Sequence, residues 1–337
     1  MIKETIDMLI NRKDLSRDIA HQAVEEIMTG EATAAQIAAF LVALRLKGET
    51  VEEITACAEI MRRHVTKIKS QDKNLLDTCG TGGDETGTFN ISTVSALVAC
   101  GCGISVAKHG NRSVSSRCGS ADLLIELGVK VDLEPAKIER CLAEVGFGFL
   151  YAPLLHKAMK YATPVRREMG IRTIFNILGP LTNPAGASFQ LLGVYDASLT
   201  EVLAEVLKNL GSKHVLVVHG EDGLDEVTTT GKARISELKD GKIKTYKIEP
   251  AEFGFKKALL KDLKGGDASF NAKLTYEILK GKRGPCRDIV LLNAGCAIYA
   301  ADKASSIKEG IAEASKSIDS GKALERLEFL KEFTNKE

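Results

Sequence analysis

Chemistry concentrates in two stretches of small residues. One runs Asp-Thr-Cys-Gly-Thr-Gly-Gly-Asp-Glu-Thr-Gly-Thr-Phe-Asn-Ile-Ser-Thr over 77–93, the other Lys-His-Gly-Asn-Arg-Ser-Val-Ser-Ser-Arg-Cys-Gly-Ser-Ala-Asp over 108–122. Glycines let a backbone approach a ligand closely, and the hydroxyls, amides and cations of these stretches suit an anion with many oxygens. Gly80 to Asp84 alone is also compatible with an ordinary tight turn. No Gly-Lys-Ser/Thr follows it, and its spacing is not that of the dinucleotide fingerprint. Asn90-Ile91-Ser92-Thr93 adds hydroxyls and free amides where an apolar helix begins, a favourable place for an anion. Lys108, His109 and Arg112 stand among glycines and serines rather than long polar residues, which favours a ligand over a solvated face. Cys79 and Cys118 are read as small space-filling thiols rather than reactive ones.

The surrounding elements must bring these stretches together. Residues 1–68 read as short helices, with capping boxes at Thr33/Gln36 and Thr50/Glu53 and glycine stops at Gly30 and Gly48. Phe40 and Leu44 on their apolar stripe need a partner, either other helices of the chain or a second subunit. From Asn74 the pattern alternates. Strands are expected at Ile104 to Ala107, Phe147 to Leu150, Phe189 to Val194 and His214 to Val218, and helices at Ile91 to Gly101 and Ala121 to Leu127. Residues 156–184 read as helical, broken by Pro164 and closed by Gly179-Pro180, and a capping box is expected at Ser198/Glu201. Asp240-Gly241 signals a hairpin, Ile289 to Ala301 a helix, and the end of the chain a solvated charged helix. Alternation of this kind predicts an α/β sheet with ligands at the strand ends. The fold class is therefore α/β, a small all-helical domain plus a larger α/β domain with a central, mostly parallel sheet. The helical domain spans 1–68, joined by helices from 156–184, and the α/β domain spans 74–155 and 185–337.

Composition narrows the function classes. At 337 residues, 44% of them hydrophobic, the chain can build a large core, and a formal net charge of +1 gives no support to a nucleic-acid or membrane partner. The N-terminal residues lack the apolar run of a signal peptide, and the apolar helix from Ala34 to Leu46 is too short to span a bilayer. With eight cysteines and no Cys-x-x-Cys pair, reduced thiols and a cytoplasmic location are expected.

Five collinear motifs carry a resemblance. Gly-Thr-Gly-Gly-Asp at 80–84, Asn-Ile-Ser-Thr at 90–93, Lys-His-Gly-Asn-Arg at 108–112, Val-Arg-Arg-Glu-Met-Gly to Asn-Pro over 165–184 and His-Gly-Glu-Asp-Gly-Leu-Asp-Glu at 219–226 resemble the anthranilate phosphoribosyltransferase family. The resemblance implies transfer of the phosphoribosyl group of phosphoribosyl pyrophosphate to the amine of anthranilate, with release of pyrophosphate, in tryptophan biosynthesis. It implies donor contacts from Gly80, Gly83, Asp84, Thr88, Asn90, Ile91, Ser92, Thr93, Lys108, His109, Gly110, Asn111, Arg112, Ser113, Val114, Ser115, Ser116 and Ser120. Anthranilate would meet Gly80, Asn111 and Arg166, and magnesium, two ions per subunit, would be held by Ser92, Asp225 and Glu226. A homodimer through the helical domain, and a nucleoside phosphorylase or phosphoribosyltransferase type of fold, are implied as well.

Physical chemistry is consistent with these roles. Magnesium with oxygen ligands is a usual way to neutralise a departing pyrophosphate, although an acidic pair such as Asp225-Glu226 is by itself equally an ordinary loop. The run Asp225 to Gly231 also resembles the acidic phosphate loop of type I phosphoribosyltransferases. There the acidic pair directly ends a strand, whereas here six residues follow Val218, so Thr228 to Thr230 are read as ordinary backbone structure. Anthranilate's amine is neutral near pH 7, so positioning, worth up to about 7–11 kcal/mol, outweighs a general base, worth roughly 10²- to 10⁴-fold. His109 is accordingly a binding or orienting group, while Asp225 and Glu226 act through the metal. The competing readings are a pyrimidine nucleoside phosphorylase-like enzyme, which has no need of the acidic pair, and a non-catalytic nucleic-acid-binding relative, which would show a basic surface. Arg166 and Arg167 adjoin; motif position selects Arg166, whose guanidinium can fork onto a carboxylate. Arg166→Ala is expected to raise the anthranilate KM with folding intact, and steady-state kinetics showing an unchanged KM would remove it from the site.

Overall fold

The computed structural model describes residues 1–84, 86–112 and 117–336. Its strands are β1 (Leu76–Gly80), β2 (Val106–Gly110), β3 (Phe147–Tyr151), β4 (Phe189–Gly193), β5 (His214–Gly220), β6 (Ala233–Lys239) and β7 (Lys242–Ile248). They form one sheet in the order β3-β2-β1-β4-β5-β6-β7, parallel from β3 to β5 and antiparallel from β5 to β7. The chain winds outward from β1 to β3 on one side and returns at β4 to wind the other way. A crevice therefore opens between the ends of β1 and β4, where Gly80 pairs with Gly193.

Side-chain alternation divides the sheet between two cores. Along β5, Leu216 and Val218 face a core shared with helix Pro285–Ala300, while Val215 and Val217 face one shared with the N-terminal helices. Those helices are α1 (Ile2–Ile10), α2 (Arg17–Thr29), α3 (Ala34–Lys47) and α4 (Val51–His64), and the described structure is a small helical domain plus a larger α/β domain. Both expected capping boxes close, with Gln36 N–H to Thr33 Oγ1 at 3.3 Å and Glu53 N–H to Thr50 Oγ1 at 3.2 Å. Phe40 and Leu44 are buried within the chain itself, against Val165, Phe175 and Leu178 among others.

Several expectations are corrected. β1 and β2 run further than their apolar residues suggest, so Asp77 to Gly80 and Lys108 to Gly110 are strand ends rather than loop. β5 continues to Gly220, leaving four residues, 221–224, before Asp225. Pro164 starts the helix Thr163–Met169, and Pro180 lies inside Phe175–Leu181. Ser198 makes no cap because Asp196 captures it, accepting from its N–H at 2.9 Å and its hydroxyl at 2.8 Å. The final helix, Lys322–Asn335, buries Leu327, Leu330 and Phe333 instead of being solvated throughout. The hairpin forms as expected, with Asp240 and Gly241 at φ 51° and 73°. Among the described residues no helix is long and apolar enough to cross a membrane.

A polar cluster ties the far end of β5 to β6 and to the helix Pro285–Ala300. His214 lies between Asp302, at 2.8 Å, and Glu237, at 3.1 Å, and Glu237 also accepts from Tyr299 and Tyr246 at 2.7 and 2.9 Å. Burial alone would raise the Glu237 carboxyl, but bonds from His214, Tyr299 and Tyr246 outweigh it and pull the pKa from 4.5 down to about 2. A depressed carboxyl contributes stability above its unfolded pKa and loses it as pH falls toward the folded one. Glu237→Gln is expected to lower the melting temperature at neutral pH, with the difference from the parental protein shrinking as pH falls below 4.5 toward 2. Melting curves across that range check it.

Candidate active site

Gly80 and Gly193, side by side at the mouth of the crevice, shape the site. A Cβ built on either would collide with Asp225, at its carboxylate from Gly80 and at its backbone carbonyl from Gly193. Two bare backbones thus let the 221–226 segment lie across the ends of β1 and β4. There Asp225 accepts from Gly82 N–H at 2.9 Å, and Glu226 accepts from Ser92 N–H at 3.1 Å. The acidic pair is joined directly to the glycine loop and to the N-terminus of α5 (Ile91–Gly101), elements lying more than 130 residues earlier.

Charge in this crevice is unevenly matched. Burial, followed by Asp84, raises Asp225 to about 7, and burial, followed by Asp225, holds Glu226 well above its ordinary range. Lys108 opposes them from beneath. It is 1% exposed, donates to Thr78 O and reaches Ser92 Oγ at 3.3 Å, and burial lowers its pKa against the pull of Asp77. Asp77, fully buried, accepts from His109 N–H at 3.1 Å and Asn183 Nδ2 at 2.8 Å; burial raises its pKa against Lys108. Lys108 is therefore an internal counter-charge touching Ser92, not a solvent-facing cation.

The residues that the resemblance assigns to the donor make the following contacts. Asn90 Nδ2 donates to Cys118 O at 3.0 Å and its Oδ1 accepts from Asn271 at 3.0 Å, which ties α5 to the loop before Ser120. Ile91 and Thr93 are buried, and Thr93 Oγ1 has no partner among the described residues. Asp84 accepts from the Thr86 hydroxyl at 2.6 Å; Thr88 bridges to Lys264, and Lys264 Nζ donates to Thr86 O at 2.5 Å. Gly83 O accepts from Arg172, whose guanidinium lies 4.5 Å from the Tyr195 ring centre. Gly110 lies against Ser120 and Phe149, where a Cβ would not fit, and Ser120 Oγ donates to Asn111 O at 3.2 Å. Exposed Arg112 turns toward Asp122, at 4.0 Å. Ser113, Val114, Ser115 and Ser116 lie outside the described residues.

A drier face adjoins this charged one. His109 Nδ1 donates to Gly179 O at 3.0 Å, which leaves Nε2 to accept from His156 Nε2 at 3.1 Å. Burial depresses both imidazoles, His109 to about 3 and His156 to about 4, so both are neutral near pH 7. Arg166 is half-buried over the Phe175 ring, 5.3 Å from its centre, whereas Arg167 is exposed. Among the described residues Arg166 makes no hydrogen bond to Gly80 or Asn111. Burial also raises the Cys79 and Cys118 thiols, consistent with inert packing.

Thr228 and Thr230 both donate to Asp222, closing a turn behind the acidic pair. Asp77, Asn183, Asn271, Arg172, His156 and Lys264 also take part, although none is singled out as a site residue from the sequence; only Asp77 and Asn271 interrupt a strand or helix, and the others lie between elements. No three His, Cys, Asp or Glu side chains converge on one point among the described residues. Two raised carboxylates beside one lysine nevertheless fit magnesium, which is usually held by one or two carboxylates, waters and substrate phosphates.

Known proteins bear on the assignment. Residues 72–324 match the family described as glycosyl transferase family, a/b domain, and residues 3–65 match its helical bundle domain. Anthranilate phosphoribosyltransferase from Moorella thermoacetica is 56% identical over 98% of this chain and 97% of its own, and that from Desulfosudis oleivorans 54% identical over 99% of each. The crystal structure of the Thermus thermophilus enzyme superposes with a TM-score of 0.94 at 44% identity, covering 98% of this chain and 99% of that one. The Saccharomyces cerevisiae enzyme in complex with PRPP and Mg gives 0.91 at 30% identity, over 99% of this chain and 97% of that one. Sequence identity at this level over the full length, on the same sheet and helical bundle, means that the chain belongs to the anthranilate phosphoribosyltransferase family.

Proposed function

We propose that the chain transfers the phosphoribosyl group of phosphoribosyl pyrophosphate to the amine of anthranilate, giving phosphoribosyl anthranilate and pyrophosphate in tryptophan biosynthesis. The observation that carries this reading is the acidic pair laid across the β1/β4 crevice and bonded to Gly82 and Ser92 N–H groups. A helix N-terminus is a natural seat for phosphate, yet here a carboxylate already holds the Ser92 amide. Pyrophosphate and two carboxylates share such a place when a cation lies between them. The pair, Ser92 and a complex of the yeast relative with PRPP and Mg support magnesium at this point, and this reading places two ions in each subunit.

Magnesium bound by Ser92, Asp225 and Glu226 would neutralise the charge that gathers on pyrophosphate as the ribose C1–O bond breaks. The chain's own groups do the rest. Gly80, Gly83, Asp84, Thr88, Asn90 to Thr93 and the segment Lys108 to Ser116 with Ser120 cradle the donor. Lys108 holds Ser92 in place and offsets the half-buried acids. Arg166, with Gly80 and Asn111, meets the anthranilate carboxylate beside the neutral His109 and His156. As the new C1–N bond forms, the amine gives up its proton to solvent, and His109, depressed to about 3, orients instead of acting as an obligatory base.

Residues 1–68 with the helices of 156–184 make up the helical domain of this reading, and 74–155 with 185–337 the donor-binding domain. A homodimer through the helical domain is supported by Ile10 and Leu46, exposed at 67% and 72% on α1 and α3. Eight free cysteines support a reducing, cytoplasmic compartment. The assay mixes protein, anthranilate, phosphoribosyl pyrophosphate and magnesium and follows anthranilate fluorescence. Loss of signal dependent on every component is expected; a persistent signal at high enzyme concentration refutes the reading. Gly193→Ala should displace Asp225, destabilise the fold by about 1–3 kcal/mol and raise the donor KM, as melting and kinetics would register.

A further inference from the structure

Asn293 sits in the middle of the helix Pro285–Ala300, 0% exposed in an almost wholly apolar setting. Its side chain reads the backbone of Val227 on both sides. Oδ1 accepts from Val227 N–H at 2.9 Å, and Nδ2 donates to Val227 O at 2.9 Å and to Ile289 O at 2.9 Å. An amide that satisfies both polar groups of one residue acts as a stand-in for a strand partner. Val227 is the residue directly after Glu226, and it belongs to a segment outside any strand or helix. The same helix also meets α5, where Ser95 Oγ donates to Val290 O at 3.5 Å. One buried helix therefore holds both carriers of the Glu226–Ser92 contact, the loop through Asn293 and α5 through Val290. Its own seat is rigid, because Gly295 packs backbone to backbone against Gly310 and Ile311, where a Cβ would not fit.

We infer that Asn293 is a positioning residue for the reaction, fixing Glu226 over the N-terminus of α5 so that the acidic pair presents its oxygens to a divalent cation and pyrophosphate together. This inference rests on the proposed phosphoribosyl transfer. Asn293 touches neither substrate nor metal; it acts through Val227. Remote supports of metal ligands typically alter metal affinity by about 10- to 100-fold.

The test replaces Asn293 by leucine, similar in size and without hydrogen-bonding groups. Binding of Mn2+ in the presence of pyrophosphate, read without turnover from the free-ion electron paramagnetic resonance signal, should weaken by about 10-fold or more. The magnesium concentration for half-maximal rate should rise in parallel while the anthranilate KM stays within about twofold, a split that general loosening of the fold does not produce. A folded Asn293→Leu protein with parental Mn2+ binding and magnesium dependence overturns the inference. If the variant does not fold, hydrogen exchange in the unaltered protein decides. A Val227 amide that is protected, and slowed further by Mn2+ with pyrophosphate, supports the role, and one exchanging as fast as exposed loop amides overturns it. Failure of the underlying reading is separately visible, since the parental protein would then show no magnesium-dependent consumption of anthranilate.

Discussion

Everything around the crevice answers to one electrostatic constraint: three acids, Asp77 buried and Asp225 and Glu226 half-buried, crowd one buried lysine between β1 and β4. Asp77, Asp225 and Glu226 share the space with Lys108, and burial raises all three acids while lowering the lysine. Removing a charge from water costs several kcal/mol even after relaxation, so the fully buried Asp77 and Lys108 need each other, and the half-buried Asp225 and Glu226 are left with raised pKa values. The remaining imbalance is met in part by oriented N–H groups, from Gly82 to Asp225, Ser92 to Glu226 and His109 to Asp77. What those amides leave unmatched raises the Asp225 and Glu226 carboxyls, and under the proposed reaction a cation would relieve it.

Keeping such a site open requires a scaffold that does not collapse onto its own charges. Bare backbone at Gly80 and Gly193 gives the acidic loop room, and side-chain amides fasten it and its neighbours. Asn183 joins Asp77 to Ala107 O, Asn271 joins Asn90 to the segment at Gly266, and Asn293 grips Val227. Each supplies both a donor and an acceptor, so each joins separate parts of the chain without adding charge. A lysine or aspartate in these positions would shift the balance that defines the crevice.

Local patterns are legible in the sequence, and long-range ones are not. Asp240-Gly241 and the threonine capping boxes depend on residues within four positions of one another, and both form as read. The ends of β1 and β2 read as loop because Asp77, Thr78, Lys108 and His109 are polar, yet they are buried and satisfied by partners up to 106 residues away. Ser198 has the spacing of a cap, but Asp196 stands two residues before it and competes for the same hydrogen bonds. Charge content makes the final helix read as solvated, although Leu327, Leu330 and Phe333 recur at the three-residue spacing of a buried stripe. For the site itself, glycine and hydroxyl content marks the loops proposed to hold the donor. Asn293's only local mark is a polar side chain inside an apolar helix.

The two faces of the site differ in dielectric character in a way that suits two unlike substrates. On the acidic side, charges and backbone amides are held by hydrogen bonds, so under the proposed reaction little reorganisation would be needed as charge develops on a leaving pyrophosphate. On the other side, His109 and His156 are linked to each other and to Gly179 O, and both are neutral. Protonating either would add a cation beside Lys108 and break the chain of donors that orients the pair. An aromatic amine enters the proposed reaction uncharged and must stay so to attack ribose. A neutral wall with the guanidinium of Arg166 seated on Phe175 would, under the proposed reaction, hold an acidic aromatic ring without offering its amine a proton. Under the proposed reaction, donor activation and acceptor positioning are separate tasks, and the β1/β2 strand ends are where they meet.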